Sequence, residues 1–196
     1  MARVAAFAAV LLLASPAWAW EPDPQVLAGL TRGQAYVEVR PDPAGASGLI
    51  RAVEEIAAPS EVVWALLIDC ELAPRLAASL KSCRILERDP AGRWDIREQI
   101  SRPGLMPRFR SVVRSDFEAP RRLRFRRIDG DLKVLEGEWR LTPVRDGRAT
   151  RVVYESRAAS PYAVPGGLAR LVIRRDVALA MAAHKRESLA RTASPR

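Results

Sequence analysis

From Ser82 onward, apolar and polar residues alternate along about 75 residues, which is longer than any single strand. Turn-forming residues interrupt the alternation, as in DPAG at 89–92, DGD at 129–131 and RDG at 145–147. Links this short favour antiparallel pairing of neighbouring strands. The pattern therefore predicts an antiparallel meander with strands at 84–88, 94–100, 108–117, 121–129, 133–143 and 150–158.

The segments on either side of the meander predict two more strands and three helices. Residues 34–40 and 49–57 read as strands, Ser60 is placed to cap a helix, and a second short helical piece follows at 72–80. Residues 167–193 have no internal Gly or Pro and carry apolar side chains at helical spacing, as a long amphipathic helix does. The order predicts an α+β domain in which a curved antiparallel sheet wraps the C-terminal helix, leaving either core or a cavity between them.

The N-terminus predicts export. An unbroken apolar run at 4–14 is too short to span a bilayer, and Ala17-Trp18-Ala19 provides the pattern of small residues that signal peptidase recognises. We therefore expect a signal peptide at 1–19, a mature chain that begins at Trp20, a lead segment at 20–33 and one domain at 34–196. The expected location is the periplasm or the exterior.

The net charge of +9 comes almost entirely from arginine, which is consistent with either a biased composition or an anionic surface partner. Export argues against nucleic acid as a partner, and we expect a monomer.

Cys70 and Cys83 could form a disulfide in an oxidising compartment, although Cys70 could also be a buried thiol. With two cysteines and the single His184 as candidate ligands, we expect no metal and no cofactor.

Two stretches resemble a known family. Residues 56–64, IAAPSEVVW, resemble the strand-to-helix transition of START-like proteins in the SRPBCC superfamily. Residues 125–133, FRRIDGDLK, with EGEWRL at 136–141 and TRVVYE at 150–155, resemble its polyketide cyclase and coenzyme-Q-binding branch. The resemblance covers 37–196 and implies a helix-grip fold that holds a hydrophobic small molecule. It leaves carriers, cyclases and regulators open.

Strand alternation and the apolar positions of the last helix predict which side chains meet such a ligand. Glu98 shares a row with two apolar residues, and it could face the interior or pair with an arginine outside. The alternative for each apolar candidate is a packed core without a cavity. The predicted ligand-binding residues are Trp94, Ile96, Glu98, Phe109, Val113, Phe125, Trp139, Tyr154, Leu171 and Leu179.

Two proline-bounded loops at 103–107 and 161–165 carry apolar residues that could touch a membrane near the cavity mouth, or form an ordinary lid. The predicted membrane-contact residues are Leu105, Met106, Tyr162, Val164, Arg174 and Arg175. His184 has Lys185 and Arg186 beside it, which indicates a solvated helix face.

Three functions remain open at this point. The motifs of hydrolases, metal sites and nucleotide-binding loops are absent from the sequence, which favours a non-catalytic carrier or sensor. A cyclase- or dehydratase-like enzyme would use Glu98 and Tyr154 as acid and base groups. A protein-interaction module with a filled core is the third possibility.

Overall fold

The computed structural model describes residues 20–30, 33, 35–46 and 48–194, and the predicted signal peptide at 1–19 lies outside them. The strands are β1 (Tyr36–Arg40), β2 (Gly48–Ile56), β3 (Leu80–Arg88), β4 (Trp94–Ser101), β5 (Phe109–Glu118), β6 (Arg122–Gly130), β7 (Val134–Val144) and β8 (Ala149–Ala159). The helices are α1 (Pro24–Leu30), α2 (Ser60–Ile68), α3 (Ala73–Leu76) and α4 (Gly166–Ala193).

The eight strands form one sheet in the order β1-β2-β8-β7-β6-β5-β4-β3, and every neighbouring pair is antiparallel. Short turns join β3 through β8 in sequence, and β2 returns to pair with β8. The long α4 packs against α2, β1 and β2, on what we call the inner face of the sheet. The predicted α+β helix-grip fold is confirmed.

The main correction to the predicted strands concerns β3, which begins at Leu80 rather than at residue 84. Its register with β4 shifts between Leu80 and Ser82 and again between Ile85 and Glu87. Each shift inserts an irregularity that reverses which face the following side chains point to. Alternation in the sequence is lost at such places, so the start of the strand could not be read from it.

One hydrophobic cluster joins the sheet to α2 and α4. Ile56, Val63, Val152 and Met181 are buried in it together with Trp64. Burial of each such side chain stabilises the fold by about 1.5–3 kcal/mol. Ser60 was predicted to cap α2, but its side chain makes no cap hydrogen bond.

The hydroxyl of Ser60 instead lies 3.1 Å from that of Thr150, which itself donates to the carbonyl oxygen of Ala58 at 2.8 Å. The hydroxyl of Ser60 contacts Thr150 and not a backbone N–H group of α2. This contact gives two buried hydroxyl groups a hydrogen-bond partner at once. These bonds attach the start of α2 to β8.

A second cluster lies on the opposite, outer face of the sheet. Leu30 from α1 is buried against Val53 and Val153. Trp20, Val26, Leu27 and Tyr36 pack around these three residues. Residues 20–30 of the lead segment therefore cover part of the outer face.

Cys70 and Cys83 are bonded, with Cα atoms 5.4 Å apart, so the chain after α2 is tied to β3. Within the described ranges, no helix has the length and apolar character needed to cross a bilayer. The same residues contain no grouping of His, Cys, Asp or Glu that could hold a metal ion.

Candidate functional site

A cavity of about 830 Å³ lies between the inner face of the sheet and α4. Its walls are mostly aliphatic and aromatic side chains. Strands β4 to β8 supply one wall, α4 the opposite wall, and α2 and α3 one end. The apolar lining includes Leu66, Leu67, Leu76, Leu80, Phe109, Val113, Leu123, Phe125, Leu132, Leu135, Trp139, Tyr154, Val164, Val172, Ile173 and Val177.

Three aromatic rings form the floor of the cavity. Phe125 stacks on Tyr154 with ring centroids 6.2 Å apart, and Trp139 lies 4.3 Å from Tyr154 on the other side. Gly137 makes this possible, since a Cβ there would lie 2.9 Å from Cζ of Phe125 and 2.3 Å from the carbonyl oxygen of Glu155. Burial raises the pKa of the Tyr154 hydroxyl, which therefore stays protonated at neutral pH. The floor combines apolar ring faces with one hydroxyl donor.

The row of β4 that faces the cavity is not the predicted one. Arg97, Gln99 and Ser101 line the cavity, whereas Trp94, Ile96 and Glu98 belong to the opposite row on the outer face. The expectation that these three residues meet the ligand is therefore corrected.

Charged neighbours explain this orientation of β4. Glu98 accepts hydrogen bonds from Arg84 at 3.0 Å and Arg110 at 2.6 Å, and these bonds, that from Arg110 above all, hold its pKa below the ordinary range. The guanidinium of Arg114 covers the ring of Trp94 at 4.5 Å. Long arginine side chains thus shield the outer apolar row from water.

Arg97 can be buried inside because Asp95 accompanies it on the same row. Nε of Arg97 donates to Oδ1 of Asp95 at 2.9 Å, and Nη2 donates to Oδ2 of Asp95 and to the carbonyl oxygen of Ile68. A bidentate pair of this kind compensates for much of the cost of burying both charges. Nη1 makes no hydrogen bond to another described residue, and the guanidinium lies over the ring of Phe117 at 6.0 Å where Arg97 lines the cavity.

Arg97 belongs to a polar wall on one side of the cavity. We define this polar wall as Arg97, Gln99 and Ser101 of β4 with Ser111 and Ser115 of β5. Gln99 and Ser111 are directly paired across the two strands. Among the described residues, none of the four uncharged side chains has a hydrogen-bonding partner. The polar wall therefore offers several unused donors and acceptors to whatever occupies the cavity.

The sequence interpretation missed most of the polar wall because it assigned the wrong row of β4 to the interior. One signal was present in the sequence. Asp95 and Arg97 are opposite charges two residues apart, so in a strand they share a face and can neutralise each other. Ser111 and Ser115 continue that polar pattern on the neighbouring strand.

The α4 wall also differs from the expected one. Leu171 and Leu179, predicted to meet the ligand, are 66% and 48% exposed and do not line the cavity. The lining face of α4 consists of Leu168, Ala169, Val172, Ile173, Asp176, Val177, Ala180 and His184. Because apolar residues occur on two sides of this helix, periodicity alone could not select the inner one.

Two titratable groups of α4 lie in the cavity wall. His184 is buried rather than solvated, which corrects the sequence expectation, and burial lowers its pKa to about 4. Its Nε2 has no hydrogen-bond partner in the described part of the chain. Burial raises the pKa of Asp176, although a hydrogen bond with Ser79 opposes that effect. At neutral pH the imidazole is uncharged.

The opening of the cavity is marked by residues that line it and are also exposed. Leu105, in the 103–107 loop, is 98% exposed and Leu168 of α4 is 54% exposed, and the half-buried Met106 and Val164 belong to the same lining. The hydroxyl of Tyr162 donates to the carbonyl oxygen of Arg108 at 3.1 Å, which connects the two proline-bounded loops. Arg174 and Arg175 are exposed, and the positive charge of Arg175 acts on the neighbouring Asp176.

Comparison with known proteins agrees with this geometry. The family model of polyketide cyclase / dehydrase and lipid transport proteins matches residues 56–185. No curated protein matches the chain in sequence.

Solved structures share the fold at low identity. A STAR-related lipid transfer protein from Xanthomonas axonopodis has a TM-score of 0.65 at 16% identity, covering 79% of this chain and 93% of its own. A START superfamily protein from Mycobacterium smegmatis has a TM-score of 0.64 at 17% identity, covering 72% and 97%. An aromatase/cyclase, Zhui, from a Streptomyces species has a TM-score of 0.58 at 17% identity, covering 74% and 93%.

Proposed function

The chain belongs to the polyketide cyclase / dehydrase and lipid transport family. Within that family, we propose that it is an exported, non-catalytic carrier. Its cargo is a hydrophobic small molecule of the lipid, quinone or isoprenoid class, held between the sheet and α4. The protein acts as a monomer and needs no cofactor.

The cavity is the observation that carries this proposal. Its volume of about 830 Å³ is near the upper end of the range of roughly 300–1,000 Å³ for small-molecule sites. The lining is predominantly apolar. Leu105 and Leu168 belong to it and are also exposed to solvent. An apolar space of this size is stabilised by a guest that removes its walls from water.

The polar wall specifies one end of the cargo. Unused N–H groups of Arg97 and the side chains of Gln99 and Ser111 would bind oxygen atoms, while the aromatic floor would bind the hydrocarbon. Hydrogen bonds from a charged donor are about twice as strong as neutral ones. We therefore propose an amphipathic cargo with an oxygen-bearing end directed toward β4 and β5.

Native mass spectrometry of gently purified protein tests the carrier proposal. The expected result is a bound species that organic extraction releases unchanged. Ala180→Trp places an indole in the cavity wall and should abolish copurification, whereas Ala178→Trp adds the same indole on the exposed side of α4 and should not. If both variants retain the bound species equally, the cargo lies elsewhere and the proposal fails.

The exported location is proposed from the N-terminal sequence. The Cys70–Cys83 disulfide supports it, because such bonds persist mainly in oxidising compartments. Cell fractionation with an intact-mass measurement provides the test. Recovery of the full-length chain from the cytoplasm alone would contradict the proposal.

Delivery of the cargo involves transient contact with an anionic membrane at the cavity opening. The exposed Leu105 would enter the headgroup region, and Arg174 and Arg175 would each contribute about 1 kcal/mol by attraction to anionic lipids. Met106, Tyr162 and Val164 complete this contact surface.

Cosedimentation with vesicles tests the membrane contact. Binding should require anionic lipid and fall with salt. Leu105→Asp should weaken binding to anionic vesicles, while Leu86→Asp, at an exposed leucine outside the cavity lining, should leave it unchanged. Equal binding to neutral vesicles would contradict the proposed electrostatic part.

A cyclase- or dehydratase-like enzyme is the second candidate, and the position of Arg97 and Tyr154 favours it. A fixed cation and a protonated hydroxyl both adjoin the cavity, where a folded substrate would lie. Glu98 has no part in such chemistry, since it faces outward. The two candidates differ in whether extracted cargo is chemically altered on prolonged incubation with the protein, and an altered product would favour the enzyme.

A further inference from the structure

Trp20, at which the mature chain is expected to begin, is fixed to the outer face at several points. Its backbone nitrogen lies 3.3 Å from Oε2 of Glu155, and Arg140 donates to its carbonyl oxygen. Its ring stacks on Tyr36 at 6.1 Å and lies beneath the guanidinium of Arg51 at 5.5 Å. Chain ends usually fray, so this degree of attachment points to a built receptor.

Glu155 is the central group of that receptor. It is only 4% exposed, and its Oε1 accepts a hydrogen bond from Nε of Arg51 at 2.9 Å. Its Oε2 is the oxygen that meets the nitrogen of Trp20. Among the described residues, Arg51 is the one side-chain cation within ion-pair distance of this buried carboxylate.

A second carboxylate, that of Glu138, adds negative charge beside Glu155. The register of β7 and β8 sets Glu138 directly opposite Glu155, and both are buried. Like charges in directly opposed positions of a sheet destabilise it. Arg122, Arg124 and Arg140 approach Glu138 and not Glu155, so they relieve the repulsion only on the β7 side.

We propose that cleavage between Ala19 and Trp20 creates an α-ammonium group that forms an ion pair with Glu155 and thereby locks the lead segment onto the outer face. A signal peptidase would hydrolyse the Ala19–Trp20 peptide bond with one water molecule. Ala19 leaves with a carboxylate, and the nitrogen of Trp20 becomes a protonated amine with three N–H groups. In the precursor the same nitrogen is a neutral amide with one.

The change of charge alters the strength of this contact without moving its atoms. The precursor's amide already donates to an ionised acceptor, and the ammonium group adds Coulombic attraction between two opposite charges to that hydrogen bond. A fixed Trp20 in turn holds α1, whose Leu30 covers Val53 and Val153. Processing would then complete the packing of the lead segment, which distinguishes the mature protein from its precursor.

The charged surroundings of the new amine come from every element packed against it. Glu21 in the lead segment adds a carboxylate, although Arg140 pairs with it at 2.6 Å. Arg51 and Arg140 oppose a further cation, while Glu155 and Glu138 favour it. Burial raises the pKa of the Tyr36 hydroxyl, which is uncharged at pH 7.

Two proteins that differ by one residue test the proposal, a chain that starts at Trp20 and one that retains Ala19. At pH 7 the Tm of the Trp20 chain should be higher by about 2–4 °C, as for a moderately stabilising ion pair in a domain of this size. The ion pair needs the protonated amine, whose ordinary pKa is about 8, so the difference should be present below that pH and vanish by about pH 10.

Variants identify the carboxylate responsible. Glu155→Gln should abolish the difference between the two chain starts, whereas Glu136→Gln, which removes a carboxylate paired with Arg157 on the same face, should preserve it. If Glu155→Gln does not fold, the ion pair is tested by the acylation rate of the α-amine in the two unsubstituted chains. The amine should react several-fold more slowly in the Trp20 chain.

The inference rests on the proposed export and not on the cargo, so an empty cavity would leave it intact. N-terminal sequencing of protein recovered after export should give Trp20 as the first residue. A different first residue, or equal Tm values and acylation rates for the two chain starts at pH 7, would overturn it.

Discussion

Glu54 offers the sharpest test of the energetics of this fold, because its carboxyl group is buried on β2 with one oxygen that makes no hydrogen bond within the described residues. It shares the inner row with Ala52 and Ile56, is 1% exposed, and its Oε1 has no hydrogen bond within the described residues. Burial raises its pKa to about 7, and attraction to Lys185 only partly opposes this. The folded protein therefore holds a proton on Glu54 that the unfolded chain releases at lower pH.

The sign and size of the effect follow from linkage. A raised pKa means that the folded state binds more protons, so stability is lost as pH rises from the ordinary 4.5 to about 7 and is constant above that. Each pKa unit corresponds to about 1.4 kcal/mol, which gives a loss of about 3 kcal/mol. Glu54→Gln mimics the protonated side chain and should remove this loss, stabilising the protein at pH 8.

His184 contributes the opposite slope over nearly the same range. Burial lowers its pKa to about 4 from 6.5, so the unfolded state binds more protons and stability is lost as pH falls through this window. In the unsubstituted protein the two slopes nearly cancel between pH 4.5 and 6.5. Glu54→Gln should therefore uncover a fall in stability on acidification, and His184→Gln should uncover a rise.

Urea unfolding at pH values from 4.5 to 8.5 measures both effects through the unfolding midpoint at constant m-value. Glu55→Gln is the matched control, because that neighbouring carboxylate lies on the outer row and pairs with Arg145 and Arg151. It should not be stabilising at pH 8. Parallel pH profiles for the unsubstituted protein and Glu54→Gln would refute the reasoning.

Three further predictions concern the cavity walls and their attachment. Gly137→Ala should destabilise the protein by more than about 2 kcal/mol in urea unfolding, because its Cβ would lie 2.3 Å from a β8 carbonyl oxygen. Arg97→Met should cost about 3–5 kcal/mol by leaving a buried carboxylate unpaired, and adding Asp95→Leu should recover most of that loss in a double-mutant cycle. Replacing both Cys70 and Cys83 with Ser should lower the stability by about 3 kcal/mol, measured without reductant.

Controls separate these effects from general damage. Gly167→Ala, where an added Cβ meets nothing within 4 Å, should be nearly neutral. Additive losses for the Asp95 and Arg97 variants would contradict the paired burial of their charges. A reductant that lowers the stability of the Cys-free variant as much as that of the unsubstituted protein would contradict the role of the disulfide.

Much of the architecture was accessible from the residue pattern. Turn residues such as those at 129–131 and 145–147 separated the strands of the meander, and the long run without internal Gly or Pro identified α4. Phe125, Trp139 and Tyr154 were predicted to face the interior, and all three line the cavity. These residues lie in strands whose two rows differ clearly in polarity.

The predictions for β4 and α4 were wrong where both sides of an element carry apolar residues. Trp94 and Ile96 looked like interior residues but lie on the outer face, where the guanidinium of Arg114 covers the ring of Trp94. Leu171 and Leu179 occupy the exposed side of α4, and His184 occupies its buried side. Local composition did not distinguish these sides.

The sequence by itself determined that there are eight alternating segments and a long terminal helix, because strand and helix periodicities are local properties of the chain. Only the tertiary structure decided which row of β4 and which side of α4 face the cavity. The reason is that alternation defines two faces of a strand but does not indicate which of them is buried. Burial of Arg97 depends on Asp95 beside it and on neighbours brought from distant parts of the chain.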